Sequence, residues 1–194
     1  MRGRPQSHRE STLRRRQALL EAAVEVVAER GVGATTHRAV AARAGLPLAT
    51  TSYFFDSLDD LLMAAMRHFT AETINRSEQL AAFLVANEIT PEQAIDAFVE
   101  LLLAQPTWRL VAQFEAYMEA SRRDDARTEI TKVLDAFLTT ASTALAAVGV
   151  EEPDAAALAF IALADGFALQ RIVRGTADPA TIKDAFRRLL ASYR

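Results

Sequence analysis

The chain has 194 residues, 51% apolar and 24% charged, with a net charge of −3, the balance of a soluble globular protein that can bury a core. Thirty-nine alanines against seven glycines and six prolines favour helix and argue against sandwiches and barrels, which need many turns. The absence of cysteine and the scatter of only three histidines (His8, His37, His68) argue against a disulfide scaffold, a thiol nucleophile and a Cys- or His-rich metal site.

Charge is uneven along the chain. Residues 1–45 hold nine arginines and four glutamates, a net of +5, which leaves −8 for the remainder. Such a split suggests a nucleic-acid-facing end on a neutral or acidic body. Residues 1–12 read as a disordered basic arm containing Arg2-Gly3-Arg4-Pro5. A first helix is predicted over 11–30, where Leu19, Ala23 and Val26 recur at helical spacing and Gly31 and Gly33 follow. Thr36 is placed to cap a short second helix over 37–44, stopped by Gly45. A third runs over about 48–54, and Ser57 with Asp60 makes a capping-box-like start to a fourth reaching 85.

Prolines mark the later boundaries. Thr90-Pro91-Glu92-Gln93 opens a fifth helix and Pro106 precedes a sixth over 107–121. A seventh covers 124–148, an eighth follows Pro153 and ends at Gly175, and a ninth follows Asp178-Pro179. No segment alternates with the period of a strand and no internal repeat is present, so the fold expected is all-α. The longest uncharged run, 136–150, contains four threonines or serines and is too short and polar to span a bilayer. No apolar stretch follows the basic N-terminus, so no secretory signal is expected. A soluble cytoplasmic protein with no membrane partner is the expectation.

Residues 36–55 have helix–turn–helix form: Ala41 and Gly45 stand four apart, the small residue admitting a second helix and the glycine making the turn. Val40, Ala44, Leu46, Thr51 and Phe54 or Phe55 supply the interior.

On these residues the stretch 20–61 resembles the DNA-binding domain of the TetR family of transcriptional regulators. The resemblance is carried by Glu21-Ala22-Ala23, Gly31, Thr35-Thr36, Val40-Ala41, Ala44-Gly45-Leu46, Thr50 to Phe55, Ser57 and Leu61. It departs from the family's usual pattern at Ala49 (Gly), Ser52 (Tyr) and Leu58 (Lys, a phosphate contact). It implies a three-helix DNA-binding domain over 13–56 and a helical effector-binding and dimerisation domain over 57–194.

The third helix then lies in the major groove. Its residues 48–55 include no Arg, Lys, Asn or Gln, so they lack the strongest bidentate base readers. They offer methyls and hydroxyls instead: Leu48, Ala49, Thr50, Ser52 and above all Tyr53, with Phe54 beside it. Thr36, His37 and Arg38 at the start of the second helix and Arg14 in the first are expected at phosphates. Arg2 and Arg4 resemble the core of an AT-hook, whose arginines enter a narrow minor groove.

The expected effector pocket draws on Phe98, Leu103, Trp108 and Val111, together with Phe114, Tyr117, Met118 and Phe137. The expected dimer face has two stripes. One is Leu158, Ala159, Ala162, Gly166, Leu169 and Val173, and the other is Ile182, Phe186, Leu189 and Leu190. Asp165, alone in an apolar run, needs a partner inside the structure or at an interface.

The reading is of a DNA-binding regulator, by family habit a repressor. It binds a palindromic operator as a homodimer and is released by a small, largely apolar effector. The alternative is an architectural binder of A·T-rich DNA that needs no ligand. No catalytic motif, cofactor motif or metal-ligand spacing is present, so neither an enzyme nor a cofactor is expected.

Overall fold

In a computed structural model, residues 6–87 and 89–193 are described. They form nine α-helices and one short 3-10 turn, with no strand among them. The helices are α1 (Gln6–Arg30), α2 (His37–Arg43), α3 (Ala49–Phe54), α4 (Leu58–Ala86) and α5 (Pro91–Ala104), then α6 (Thr107–Ala120), α7 (Asp124–Ala147), α8 (Pro153–Arg174) and α9 (Pro179–Ala191). The all-α expectation and the order of helices hold.

The caps explain most boundaries. Thr36 accepts from the Ala39 amide at 3.2 Å, and Ser57 accepts from the Asp60 amide at 3.0 Å. Thr90 and Gln93 complete a reciprocal capping box, with Thr90 N–H donating to Gln93 Oε1 at 2.8 Å. Asp178 accepts from the Ala180 and Thr181 amides at 3.2 and 3.1 Å. Gly45 and Gly175 take positive φ, 65° and 73°, where a side chain would be strained. One boundary differs: α1 begins at Gln6, so 6–12, read from sequence as an arm, is helical. Hydrophobic periodicity is silent there because no apolar residue precedes Leu13 in the helix.

The chain divides into two compact units, and α4, α6 and α7 each contribute to both. The first joins the described residues up to Thr70 with Ala112–Glu129. Its core is Leu19, Leu20, Ala23 and Val26 of α1 against Val40, Phe55 and Leu61. The expected interior of the helix–turn–helix is found there: Val40, Thr51 and Phe55 are buried, with Ala44, Leu46 and Phe54 packed partly against the same cluster.

The second unit is Ala71–Val111 with Ile130–Arg194. It closes on Phe186 of α9, whose ring meets those of Phe98, Phe160 and Phe167 at 5.2, 5.4 and 6.2 Å. Ile95, Val99, Ala156, Ala157, Ile182 and Leu190 complete this core. The Arg171 guanidinium of α8 donates to the carbonyls of Leu102 and Gln105 at 3.1 and 2.6 Å, satisfying groups at the end of α5.

This packing corrects part of the expected dimer face. Ile182, Phe186 and Leu190 are buried in their own chain, because α9 lays its apolar stripe on α5 and α8. Leu189 is half-buried. The α8 stripe is different: Leu158, Ala162, Gly166, Leu169 and Val173 are all exposed, and Ala159 is half-buried. By length and composition α8 is also long and apolar enough to cross a membrane. The longest uncharged run lay elsewhere because Asp165 interrupts this helix. Asp165 is half-buried, and burial pushes its carboxyl above the usual carboxylate range.

Candidate nucleic-acid interface

The first unit builds its outer surface from α2 and α3. Leu46 follows the Gly45 turn, and its amide donates to the Ala41 carbonyl at 3.0 Å, fixing the angle at which the chain leaves α2. Within α3, Thr51 is fully buried and its hydroxyl donates to the Leu48 carbonyl at 2.8 Å. That anchors one face of the helix and turns the opposite one outward. Leu48, Ala49, Ser52 and Tyr53 stand on the outward face, with Tyr53 69% exposed. The Tyr53 ring rests edge-to-face against Phe54 at 4.8 Å. Thr50 and Phe54 are half-buried, so Phe54 serves mainly as the support on which Tyr53 stands.

The N-terminus of α2 lies on the same small domain. Thr36 and Arg38 are exposed and His37 is half-buried, with an Nδ1 that is buried and has no hydrogen-bond partner in the structure. Arg14 is exposed on α1. Arg16, two residues further along α1, is held with its guanidinium 5.3 Å from the centre of the Phe55 ring. Arg2 and Arg4 lie outside the described residues.

Two arginine clasps were not visible in the sequence. Arg43, the last residue of α2, donates to Glu25 at 3.0 Å and also pairs with Glu29, fastening α2 to α1. Arg123, in the turn between α6 and α7, pairs with Asp59 in the first turn of α4 (Nη2 to Oδ2, 3.1 Å) and with Asp125 at 2.7 Å. Hydrogen bonds from Arg123 hold the Asp59 and Asp125 carboxyls below the usual range, and the same bonds hold Arg123 firmly charged. Partners 18 and 64 residues apart leave no periodic signal.

The sign of the pH effect follows. Both carboxylates are more acidic folded than unfolded, so their contribution is present above the ordinary carboxylate value of about 4 and lost as pH falls through their lowered values. We expect stability to decline below about pH 4 and Asp59→Asn to decline less steeply. Urea midpoints from pH 6 to pH 2 check this, and parallel curves for the two proteins would refute it.

The residues expected at an effector pocket are distributed between the units. Phe98 and Leu103 pack against the Phe186 core. Val111 and Phe137 are half-buried and Trp108 is at the surface, all three in the second unit. In the first unit, Phe114 and Tyr117 meet at 5.7 Å and Met118 is exposed.

Comparison with known proteins agrees with this architecture. Residues 89–192 match the family described as "Tetracyclin repressor-like, C-terminal domain". Residues 19–65 match "Bacterial regulatory proteins, tetR family". The transcriptional regulator BetI of Rhizobium meliloti is 28% identical over 116 residues, 58% of this chain and 55% of that protein. LuxR of Vibrio harveyi is 32% identical, over 59% of this chain and 55% of that protein. The chain thus spans little more than half the length of these curated relatives. Among solved structures, a TetR-family member from Streptomyces coelicolor is 30% identical, with a TM-score of 0.69 over 90% of this chain and 97% of that one. The multidrug binding protein EbrR, complexed with proflavin, is 28% identical, with a TM-score of 0.56 over 90% of this chain and 99% of that one.

Proposed function

From the premise that the chain belongs to the TetR family of transcriptional regulators and carries its helix–turn–helix, we propose that it represses transcription by binding a palindromic operator as a homodimer. The observation that carries this reading is the α3 surface: a helix anchored by buried Thr51 and Phe55 that presents Leu48, Ser52 and Tyr53 to solvent. A surface of hydroxyls and methyls suits thymine methyls, phosphates and water-mediated contacts. In this reading Tyr53, Thr50 and Ser52 meet the groove, and Arg14, Thr36, His37 and Arg38 meet phosphates. Arg43 holds α2 in place for them and touches no DNA.

Dimerisation is assigned to α8. The stripe Leu158, Ala162, Gly166, Leu169 and Val173 repeats at three and four residues and stays exposed in the single chain. Small residues at Ala162 and Gly166 let a second copy of the helix approach closely, and two-fold pairing demands a palindromic site.

Release is assigned to a small, largely apolar effector that binds the second unit and shifts α4, which starts directly after the recognition helix. EbrR, complexed with proflavin, supports a small-molecule effector. Binding acts only through its different affinity for the two states, and no chemical step is involved.

Tyr53 provides the test. Tyr53→Ala is expected to weaken operator binding by about tenfold to a hundredfold, the range for a lost hydrogen bond to a charged group. Its melting temperature should stay near wild type because the side chain is exposed. Fluorescence anisotropy on an operator duplex measures this, and unchanged affinity would remove Tyr53 from the interface.

A further inference from the structure

The α3 surface brings no positive charge of its own to DNA, because residues 48–55 contain neither Arg nor Lys. A cation fixed against the end of this helix comes from α1 instead. The Arg16 guanidinium lies over the ring of Phe55, the residue that closes α3, at 5.3 Å from the ring centre. Phe55 is itself held firmly. Its ring is buried in the core of the unit, and its amide donates to the Thr51 carbonyl at 2.9 Å.

Arg16 is held by a ring and not by an anion. It is exposed, and it has no hydrogen-bond or ion-pair partner among the described residues. Its neighbours three and four residues away on α1 are Thr12, Leu13, Leu19 and Leu20, so its own helix face offers no carboxylate. Arg43 and Arg123 differ, for carboxylates already neutralise both. Stacking uses only the flat face of a guanidinium. Its five N–H groups point outward in the plane, where they match the oxygens of a phosphate.

Phe55 also continues a row. Its ring lies 6.3 Å from that of Phe54, which in turn meets Tyr53 at 4.8 Å. Arg16 and Tyr53 therefore stand at the two ends of one aromatic row. We propose that Arg16 is a DNA phosphate contact, a cation carried on the Phe55 ring and kept in register with Tyr53 by the row between them. Arg16 grips the backbone while Tyr53 reaches the adjoining groove, and the row sets the separation of the two contacts. A cation already fixed in place loses little side-chain freedom on binding. The contact rests on the DNA-binding reading above, whereas the stack does not.

NMR of the free protein tests the stack. The Arg16 Nε proton is expected upfield of that of Arg15, shifted by the ring beneath it, and coincident resonances overturn the stack. Anisotropy over a range of salt, on an operator duplex recovered from sheared genomic DNA, tests the contact. Arg16→Ala is expected to weaken binding about tenfold to a hundredfold. It should also flatten the slope of log K against log salt by about 0.9 for each subunit. Arg16→Gln, which keeps part of the stem and removes the charge, serves if that variant fails to fold. Arg16→Lys should restore the slope but only part of the affinity, because an ammonium has no plane to stack. Arg67→Ala removes an exposed cation about two and a half turns into α4 and should leave the slope unchanged. A wild-type slope in Arg16→Ala, a slope still flat in Arg16→Lys, or an equal loss in Arg67→Ala overturns the contact, while the reading stands as long as wild type binds. A wild type that holds no duplex removes the reading and the contact together, and the NMR result still decides the stack.

Discussion

Leu169→Glu is expected to turn a dimer into a monomer and to cost about a thousandfold in operator affinity. Leu169 lies at the centre of the exposed α8 stripe, about half exposed in the single chain. A glutamate there is tolerated by the isolated subunit, because exposed substitutions change stability by about 0.5 kcal/mol or less. Across a two-fold interface, two unpaired carboxylates face one another in an apolar setting, and association fails. Each half-site is then held alone. Linking two binding events raises affinity by about a hundredfold to ten-thousandfold, which sets the size of the loss. Light scattering gives the mass and anisotropy gives the affinity. A dimeric Leu169→Glu variant would place the interface elsewhere, and a monomeric one that binds DNA as tightly as wild type would break the link between pairing and operator.

Phe186→Ala carries the largest expected effect on stability. Phe186 is fully buried and meets three other phenylalanine rings, so its removal opens a cavity that rigid neighbours cannot close. Losses of this kind run to about 3–5 kcal/mol, a large share of the total stability of a domain. In a chain of this length that corresponds to a fall of roughly 10 °C in melting temperature. Ile182→Val, one turn away in the same core, is expected to cost about 1 kcal/mol. Calorimetry separates the two, and similar melting temperatures for both variants would mean that the aromatic cluster is not the keystone of the second unit.

What could be read from the sequence was what is decided locally. Thr36, Ser57, Thr90 and Asp178 each cap the helix that follows, because a cap is a bond over three residues. The helix–turn–helix core followed from Val40, Thr51 and Phe55 for the same reason. The α9 stripe shows where this reading stops. Its spacing states that Ile182, Phe186 and Leu190 are buried, but not whether the cover is the same chain or a second copy. Packing on α5 and α8 decided for the same chain. The two clasps, Arg43 with Glu25 and Arg123 with Asp59, join residues that only the fold brings together. The early start of α1 escaped because a helix of polar residues has no hydrophobic period to detect.

The central claim is that this chain recognises one DNA sequence as a symmetric pair. The most direct test is to incubate the purified protein with sheared genomic DNA at physiological salt, recover what it holds and sequence it. The account predicts a few enriched fragments sharing a palindrome, with half-sites about one helical turn or more apart, and loss of that enrichment in Tyr53→Ala and Leu169→Glu. Broad recovery of A·T-rich DNA without a palindrome, unchanged in both variants, would contradict it and move recognition from α3 to the arginines of residues 1–16.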